Sequence, residues 1–302
     1  MSMRRFVWLA FVGLCAALLG TLTPLPADDK PAQKATEKAA EKPAEKAAQF
    51  EVEKFKDIAY RTDKDADKER HKLDIYCPKG QKDFPVILFV HGGTWKQGNK
   101  NYYAAIGETF AKEGIGMVIT NYRLSPAVQH PAHIEDVAKA FAWVVENIGK
   151  YNGSAEKLFL CGHSAGGHLV SLLATDPSYL KAEKHSFADI KGVIPISGVF
   201  RITPVAPLKQ AFGTDEKVCK QASPITHVTG KHPPFLIAYA DSDLPTLDEM
   251  AKDMDRALQK VESPTELLEC KNCNHITIIL KFVNEDDQLH KAVREYVKAK
   301  SK

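Results

Sequence analysis

The chain has 302 residues, 44% of them hydrophobic and 26% charged, which is ordinary globular composition and enough to bury one large α/β core. A formal net charge of +3, with no Lys/Arg-rich tract, excludes a nucleic-acid partner as the working reading. The first residues differ from the rest. Arg4 and Arg5 precede an apolar run from Phe6 to Leu22, which passes through Leu25-Pro26-Ala27 into charged residues. A basic start, an apolar stretch and a small residue at the cut predict a signal peptide over 1–27, and with it a secreted or periplasmic protein. The alternative is an uncleaved membrane anchor, because the apolar run just reaches across a thinned bilayer.

Residues 28–49 alternate Ala, Lys and Glu around Pro31 and Pro43. Nothing larger than Ala is available to bury, so the segment reads as a disordered spacer. Residues 50–302 form the expected catalytic domain. Five cysteines follow the leader (Cys77, Cys161, Cys219, Cys270 and Cys273), an odd count that prevents complete pairing within one chain. Cys270-Lys271-Asn272-Cys273 has no second Cys/His pair at zinc-ligand spacing, so no metal is expected there.

From Phe50 on, strand and helix signals alternate. Strands are expected over 51–60, 71–77, 85–91, 115–121, 157–162, 190–196, 234–240 and 264–270. The middle ones are continuous apolar runs, as in parallel strands covered on both faces. Helical periods lie between them. Ile134, Val137, Phe141 and Val144 mark one, and Leu247, Met250/Ala251, Met254 and Leu258 another. No helix separates the first two strands, so they form an antiparallel edge. The fold class is therefore α/β: a mostly parallel eight-stranded sheet with helices on both faces, leaving 200–233 for a small lid.

Gly162-His163-Ser164-Ala165-Gly166 follows the apolar strand ending at Cys161 and opens the run Leu169 to Ala174. This is the strand–turn–helix setting that G-x-S-x-G requires, and it makes Ser164 the candidate nucleophile. A base and its orienting acid must follow in the order acid, then histidine. His275, in the polar loop after strand 264–270, is the candidate base; His290 lies in an amphipathic helix and is expected on its solvated face. The acid comes from the loop after strand 234–240, where Asp243 is favoured over Asp241 because it sits further into the loop. Asp248 is assigned to first-turn helix chemistry. His91-Gly92-Gly93-Thr94-Trp95 follows strand 85–91, where the amides of Gly93 and Thr94, with that of Ala165, are expected to form an oxyanion hole. Trp95 is placed as a substrate contact, with packing of the loop as the alternative.

These motifs, together with Asn-Tyr-Arg-Leu-Ser-Pro (121–126), Pro-Ala-His-Ile-Glu-Asp (131–136) and Ser-Gly-Val-Phe (197–200), resemble the carboxylesterases of the α/β-hydrolase superfamily. The likeness is to the feruloyl-esterase-like or carbohydrate-esterase-like group, which neighbours the hormone-sensitive-lipase-like esterases and the kynurenine formamidases. It spans about residues 70–295 and implies Ser164, Asp243 and His275 as the triad. Thr94 stands where hormone-sensitive-lipase-like enzymes usually carry a third glycine. The implied function is hydrolysis of small-molecule or polysaccharide-borne esters, acetyl or feruloyl among them, with no metal or organic cofactor. The alternatives are an arylformamidase and a non-catalytic binding protein on the same fold.

Overall fold

The structure, a computed structural model, describes residues 49–205 and 208–302. The signal peptide expected over 1–27 and, apart from Gln49, the spacer expected over 28–49 lie outside the described residues. Among the described residues, eight strands form one sheet: β1 (Val52–Ala59), β2 (Lys72–Pro78), β3 (Phe84–Val90), β4 (Gly116–Thr120), β5 (Gly153–His163), β6 (Gly192–Ile196), β7 (Phe235–Ser242) and β8 (Thr265–Asn274). Their spatial order is β1-β2-β4-β3-β5-β6-β7-β8. The pairs β1–β2 and β2–β4 are antiparallel and the rest parallel, so the antiparallel edge falls where the missing helix put it.

The apolar runs are explained by what covers them. Along β3, Val86, Leu88 and Val90 face one core, and Ile87 and Phe89 face the other. Among the described helices, α1 (Ala104–Lys112), α8 (Thr277–Lys281) and α9 (Gln288–Lys300) supply residues to the second core. To the first come α2 (Ala132–Asn147), α3 (Ala165–Thr175), α4 (Pro177–Ala182), α5 (Lys209–Phe212), α6 (Glu216–Gln221) and α7 (Leu247–Lys260). The stripe Ile134, Val137, Phe141 and Val144 of α2 is fully buried, at about 1.5–3 kcal/mol for each such side chain taken out of water. In a sheet of this kind the loops at the carboxyl ends of the parallel strands carry the ligand site. Here the site is built from the loops after β3, β5, β6, β7 and β8.

One expectation needs correction. His290 is not on the solvated face of α9 but completely buried. The stripe Leu289, Val293 and Val297 turns that helix onto the sheet, and His290 shares the stripe's inner flank. Its Nδ1 lies 2.9 Å from the Phe282 carbonyl and its Nε2 2.8 Å from Glu113 Oε2, while its ring stacks on Phe110 at 4.3 Å. Arg294 holds the other Glu113 oxygen at 2.8 Å. Burial pushes the Glu113 pKa up, but the bonds from His290 and Arg294 outweigh it and hold the group below its usual 4.5. His290→Ala should therefore lower unfolding free energy by about 2–4 kcal/mol at neutral pH, measured by urea denaturation. A depressed carboxylate pKa contributes stability in full above its unfolded value and loses it as pH falls through the folded one. The gap between the native chain and Glu113→Gln should accordingly narrow below pH 4.5.

Candidate active site

β5 ends at His163 and α3 begins at Ala165, so Ser164 alone makes the turn. It does so at φ 55°, ψ −117°, a region that costs a non-glycine residue about 1–3 kcal/mol. The flanking glycines make the turn possible. A Cβ on Gly162 would lie 2.5 Å from the Gly166 carbonyl, and one on Gly166 only 2.0 Å from the Val90 carbonyl oxygen. Both contacts are impossible for any side chain. The Ser164 amide is pinned to the Ile196 carbonyl at 2.9 Å, which sets the hydroxyl above the ends of β5 and β6. The start of α3 lies directly behind it, where the helix dipole favours negative charge.

Two loops reach the serine. His275, just past β8, places Nε2 3.0 Å from Ser164 Oγ and Nδ1 2.7 Å from Asp243 Oδ1. Asp243 is nearly inaccessible, its side chain 1% exposed. Its carboxylate also accepts from Ser197 Oγ at 2.5 Å and from the amides of Ala240 (3.1 Å) and Leu244 (2.8 Å). Burial pushes its pKa up, yet the bonds from His275, Ser197 and the two amides prevail and hold it below the ordinary carboxylate value. The ionised carboxylate takes the Nδ1–H, which leaves Nε2 as acceptor for the serine hydroxyl. Asp241 serves the turn instead. Its carboxylate accepts from the amides of Asn272 (2.8 Å) and Cys273 (3.0 Å), fastening the irregular end of β8 that leads into His275.

The loop after β3 faces the serine from the other side. Gly93, Thr94 and Trp95 take φ of 119°, 54° and 58° in succession, and the Gly93 carbonyl accepts from the amides of Lys96 and Gln97 at 3.0 Å each. Gly92 must lack a side chain, because a Cβ there would stand 2.9 Å from the His163 carbonyl oxygen and 3.2 Å from Ser164 Cβ. Its amide is already taken by the Tyr103 hydroxyl at 3.3 Å. The amides of Gly93, Thr94 and Ala165 have no acceptor among the described residues, so they are available to a ligand anion. His91 is buried behind the loop, its Nδ1 on the Gly92 carbonyl at 2.8 Å, and burial drops its pKa to about 4. It braces the loop from behind.

Trp95 is the second correction. It is 2% exposed and forms no wall of the cleft. The positive φ at Thr94 and Trp95 turns the indole inward, where Nε1 donates to His168 Nδ1 at 3.2 Å and the ring meets Phe212 edge-on at 4.9 Å. The segment left for a lid, 200–233, lies on the same side as Trp95: Phe212 packs there, and the Ala222 carbonyl accepts from His168 Nε2 at 2.7 Å. Its described residues contribute none to the cleft.

Sequence reasoning missed several residues that matter here. Ser197 entered only as the first residue of the Ser-Gly-Val-Phe motif, with no role assigned, although it follows β6 at a carboxyl end where site residues gather. His163 was seen only as the variable position of the serine motif, yet its Nε2 donates to the His275 carbonyl at 2.9 Å. Burial, with His275 nearby, takes the His163 pKa down to about 3, so it acts as a neutral prop. The cleft above Ser164 measures about 520 Å³, and its apolar walls come from Tyr102, Tyr103, Leu244, Ile276 and Ile279. Cys270 is fully buried and burial raises its thiol to about 12, which makes it inert packing.

Comparison with known proteins places this geometry. The family model described as BD-FAE matches residues 73–258. The "Probable carboxylic ester hydrolase LipM" of Mycobacterium tuberculosis is 33% identical over 177 residues, which is 53% of this chain and 41% of LipM. The kynurenine formamidase of Salmo salar is 27% identical over 234 residues, 73% of this chain and 76% of that one. The chain thus spans less than half of the first relative and about three quarters of the second. A truncated carbohydrate esterase from gut microbiota superposes with TM-score 0.71 at 21% identity, covering 84% of this chain and 98% of the other; that likeness establishes the α/β-hydrolase architecture. With its model matching well over half of the chain, the protein belongs to the BD-FAE family of α/β-hydrolases.

Proposed function

We propose that this chain is an exported serine carboxylesterase that works through an acyl-enzyme on Ser164. The observation that carries the reading is the hydrogen-bonded series Ser164–His275–Asp243, at 3.0 and 2.7 Å, facing a loop with free amides. In the first step Ser164 Oγ bonds to the ester carbonyl carbon while His275 Nε2 takes the hydroxyl proton. The carbonyl oxygen becomes an anion held by the amides of Gly93, Thr94 and Ala165. Collapse breaks the bond to the alcohol oxygen, which receives the proton from Nε2. Water then gives its proton to the same nitrogen as its oxygen bonds to the acyl carbon; collapse breaks the bond from that carbon to Ser164 Oγ, which takes the proton back from Nε2 as the acid leaves. Asp243 holds the ring in the tautomer that both steps need. Relatives named as ester hydrolases and esterases in Mycobacterium tuberculosis support the bond type. Export rests on the leader read in the sequence.

Polysaccharide-borne acetyl or feruloyl esters are the finer reading from sequence, and a fold likeness to a carbohydrate esterase supports them; against them, the described lining of the cleft has no charged side chain to meet a sugar as leaving alcohol. An arylformamidase is the second reading, favoured by the 27% identity to the salmon enzyme across most of both chains. N-formylkynurenine turned over faster than simple carboxylic esters would select it.

A fluorophosphonate should label the native chain at Ser164, and Ser164→Ala should abolish the label. Ser164→Ala or His275→Ala should each lower kcat by about 10⁴ or more, because the relay acts as a unit; absence of labelling in the folded native chain would exclude the nucleophile assignment. Ser197→Ala removes one bond from the Asp243 carboxylate, worth roughly 1.5–3 kcal/mol for a charged acceptor. The Asp243 pKa then rises toward its unfolded value, so the ionised carboxylate lends less stability above that value and the variant should unfold at a higher pH on acidification. Acid denaturation of Ser197→Ala beside the native chain measures the shift; identical midpoints would show that the bond carries nothing.

A further inference from the structure

We infer, resting on the ester-hydrolase reading of the same site, that the substrate's leaving alcohol is apolar and lies along a hydrophobic rim formed by Leu244, Ile276 and Leu280. The location of that rim decides which half of the ester it meets. Leu244 directly follows Asp243, and its amide is tied to that carboxylate at 2.8 Å. Ile276 directly follows His275. Both line the cleft while remaining 52% and 58% exposed. Leu280, one turn along α8 from Ile276, is 64% exposed and extends the strip outward. Two large apolar side chains left in water on one side of the cleft, with Leu280 continuing from them along α8, form a patch that burial by a ligand would stabilise.

The chemistry places the alcohol on that side. His275 Nε2 must hand its proton to the alcohol oxygen, so the atoms attached to that oxygen lie over the His275 loop. That loop and the adjoining Asp243 loop are the ones that carry the rim. The acyl carbon, in contrast, bonds to Ser164 with its oxygen turned toward Gly93 and Thr94. A sugar alcohol would present several hydroxyls to this wall, and its recognition calls for charged or amide partners. Among the described residues lining the cleft there is no Asp, Glu, Lys or Arg, and Gln97 belongs to the oxyanion-loop side.

A methylene fully removed from water is worth about a fourfold factor, and one laid on an open rim roughly half of its burial, or about twofold. The test keeps the acyl group constant and varies the alcohol: ethyl, butyl and hexyl acetate beside an acetylated monosaccharide, with kcat/KM for each. The expected series rises by about tenfold or more from ethyl to hexyl, with hexyl acetate preferred to the sugar acetate. In Leu244→Ser/Ile276→Ser the ratio of hexyl to ethyl should fall to within about twofold. A flat or falling alcohol series in the native chain overturns the assignment, as does preference for the sugar acetate. So does a parallel series of ethyl esters showing that selectivity follows acyl length instead. If no ester is turned over and Ser164 takes no fluorophosphonate label, the esterase reading itself fails, which the alcohol series cannot mimic.

Discussion

The backbone at Ser164 is the constraint on which the rest of the site depends. A strand that becomes a helix within one residue must place that residue at positive φ, and the chain holds the strained turn by removing every atom that would oppose it. Gly162 and Gly166 touch each other across the turn, and Gly166 also touches the Val90 carbonyl at the end of β3. These contacts do more than permit the turn. They bring the end of β3 against the start of α3, so the loop that follows β3 is delivered to the serine. Gly92 then completes the approach, with no room for a Cβ between it and His163 or Ser164. Ser164 and the loop after β3 are thus positioned by one steric arrangement rather than two.

Behind that arrangement sits a layer of buried polar groups that hold the loop in register. Gly98 closes the turn so tightly that a Cβ would meet the Gly92 carbonyl oxygen at 2.4 Å, and the Gly98 carbonyl is held by Arg70 at 3.1 Å. Two residues on, the Lys100 amide donates to Asn121 at 2.7 Å while its buried ammonium lies 2.7 Å from both Asp57 and Asp74. Arg123 forks onto Asp136 at 2.7 and 2.9 Å, fixing the segment on which the loop rests. Such pairs contribute little net stability against apolar replacements, but breaking one leaves an expensive unpaired charge. Their effect is to give the loop one geometry, which is what donors aimed at a developing anion require.

The readable parts of the sequence were those in which one physical cause acts along the chain. Burial on both faces makes β3, β4 and β7 continuous apolar runs, so the sheet and its order of elements could be anticipated. The requirement that acid and base follow the nucleophile, each from a loop after a strand, narrowed the choice to Asp243 and His275. Asp243 over Asp241 followed from reach alone, and the two carboxylates do divide as reach suggests, one to the ring and one to the turn. What could not be read depends on where a side chain points in three dimensions. Trp95 follows a glycine loop, but three successive positive φ values turn it away from the cleft. His290 sits in a visibly amphipathic helix, on the flank where a polar residue is indistinguishable from an exposed one until Glu113, 177 positions earlier, arrives beside it. The cleft walls come from three separate loops, and no periodicity links Tyr102 to Leu244 or Ile276.

The distribution of charge within the site has its own logic. In the proposed reaction Asp243 acts only through His275, and its carboxylate is saturated by four donors and shielded from water. A full charge lies just behind the ring, while the described surface that meets substrate remains uncharged. That order suits a reaction whose charges are transient. The imidazolium forms against a fixed anion, and the oxyanion forms against amide dipoles already oriented for it, so neither needs water to reorganise. An open rim would defeat this by admitting solvent at the leaving-group side. An apolar alcohol lying on Leu244 and Ile276 would keep water from that side until it departs. Its departure would then open the path by which the hydrolytic water reaches His275.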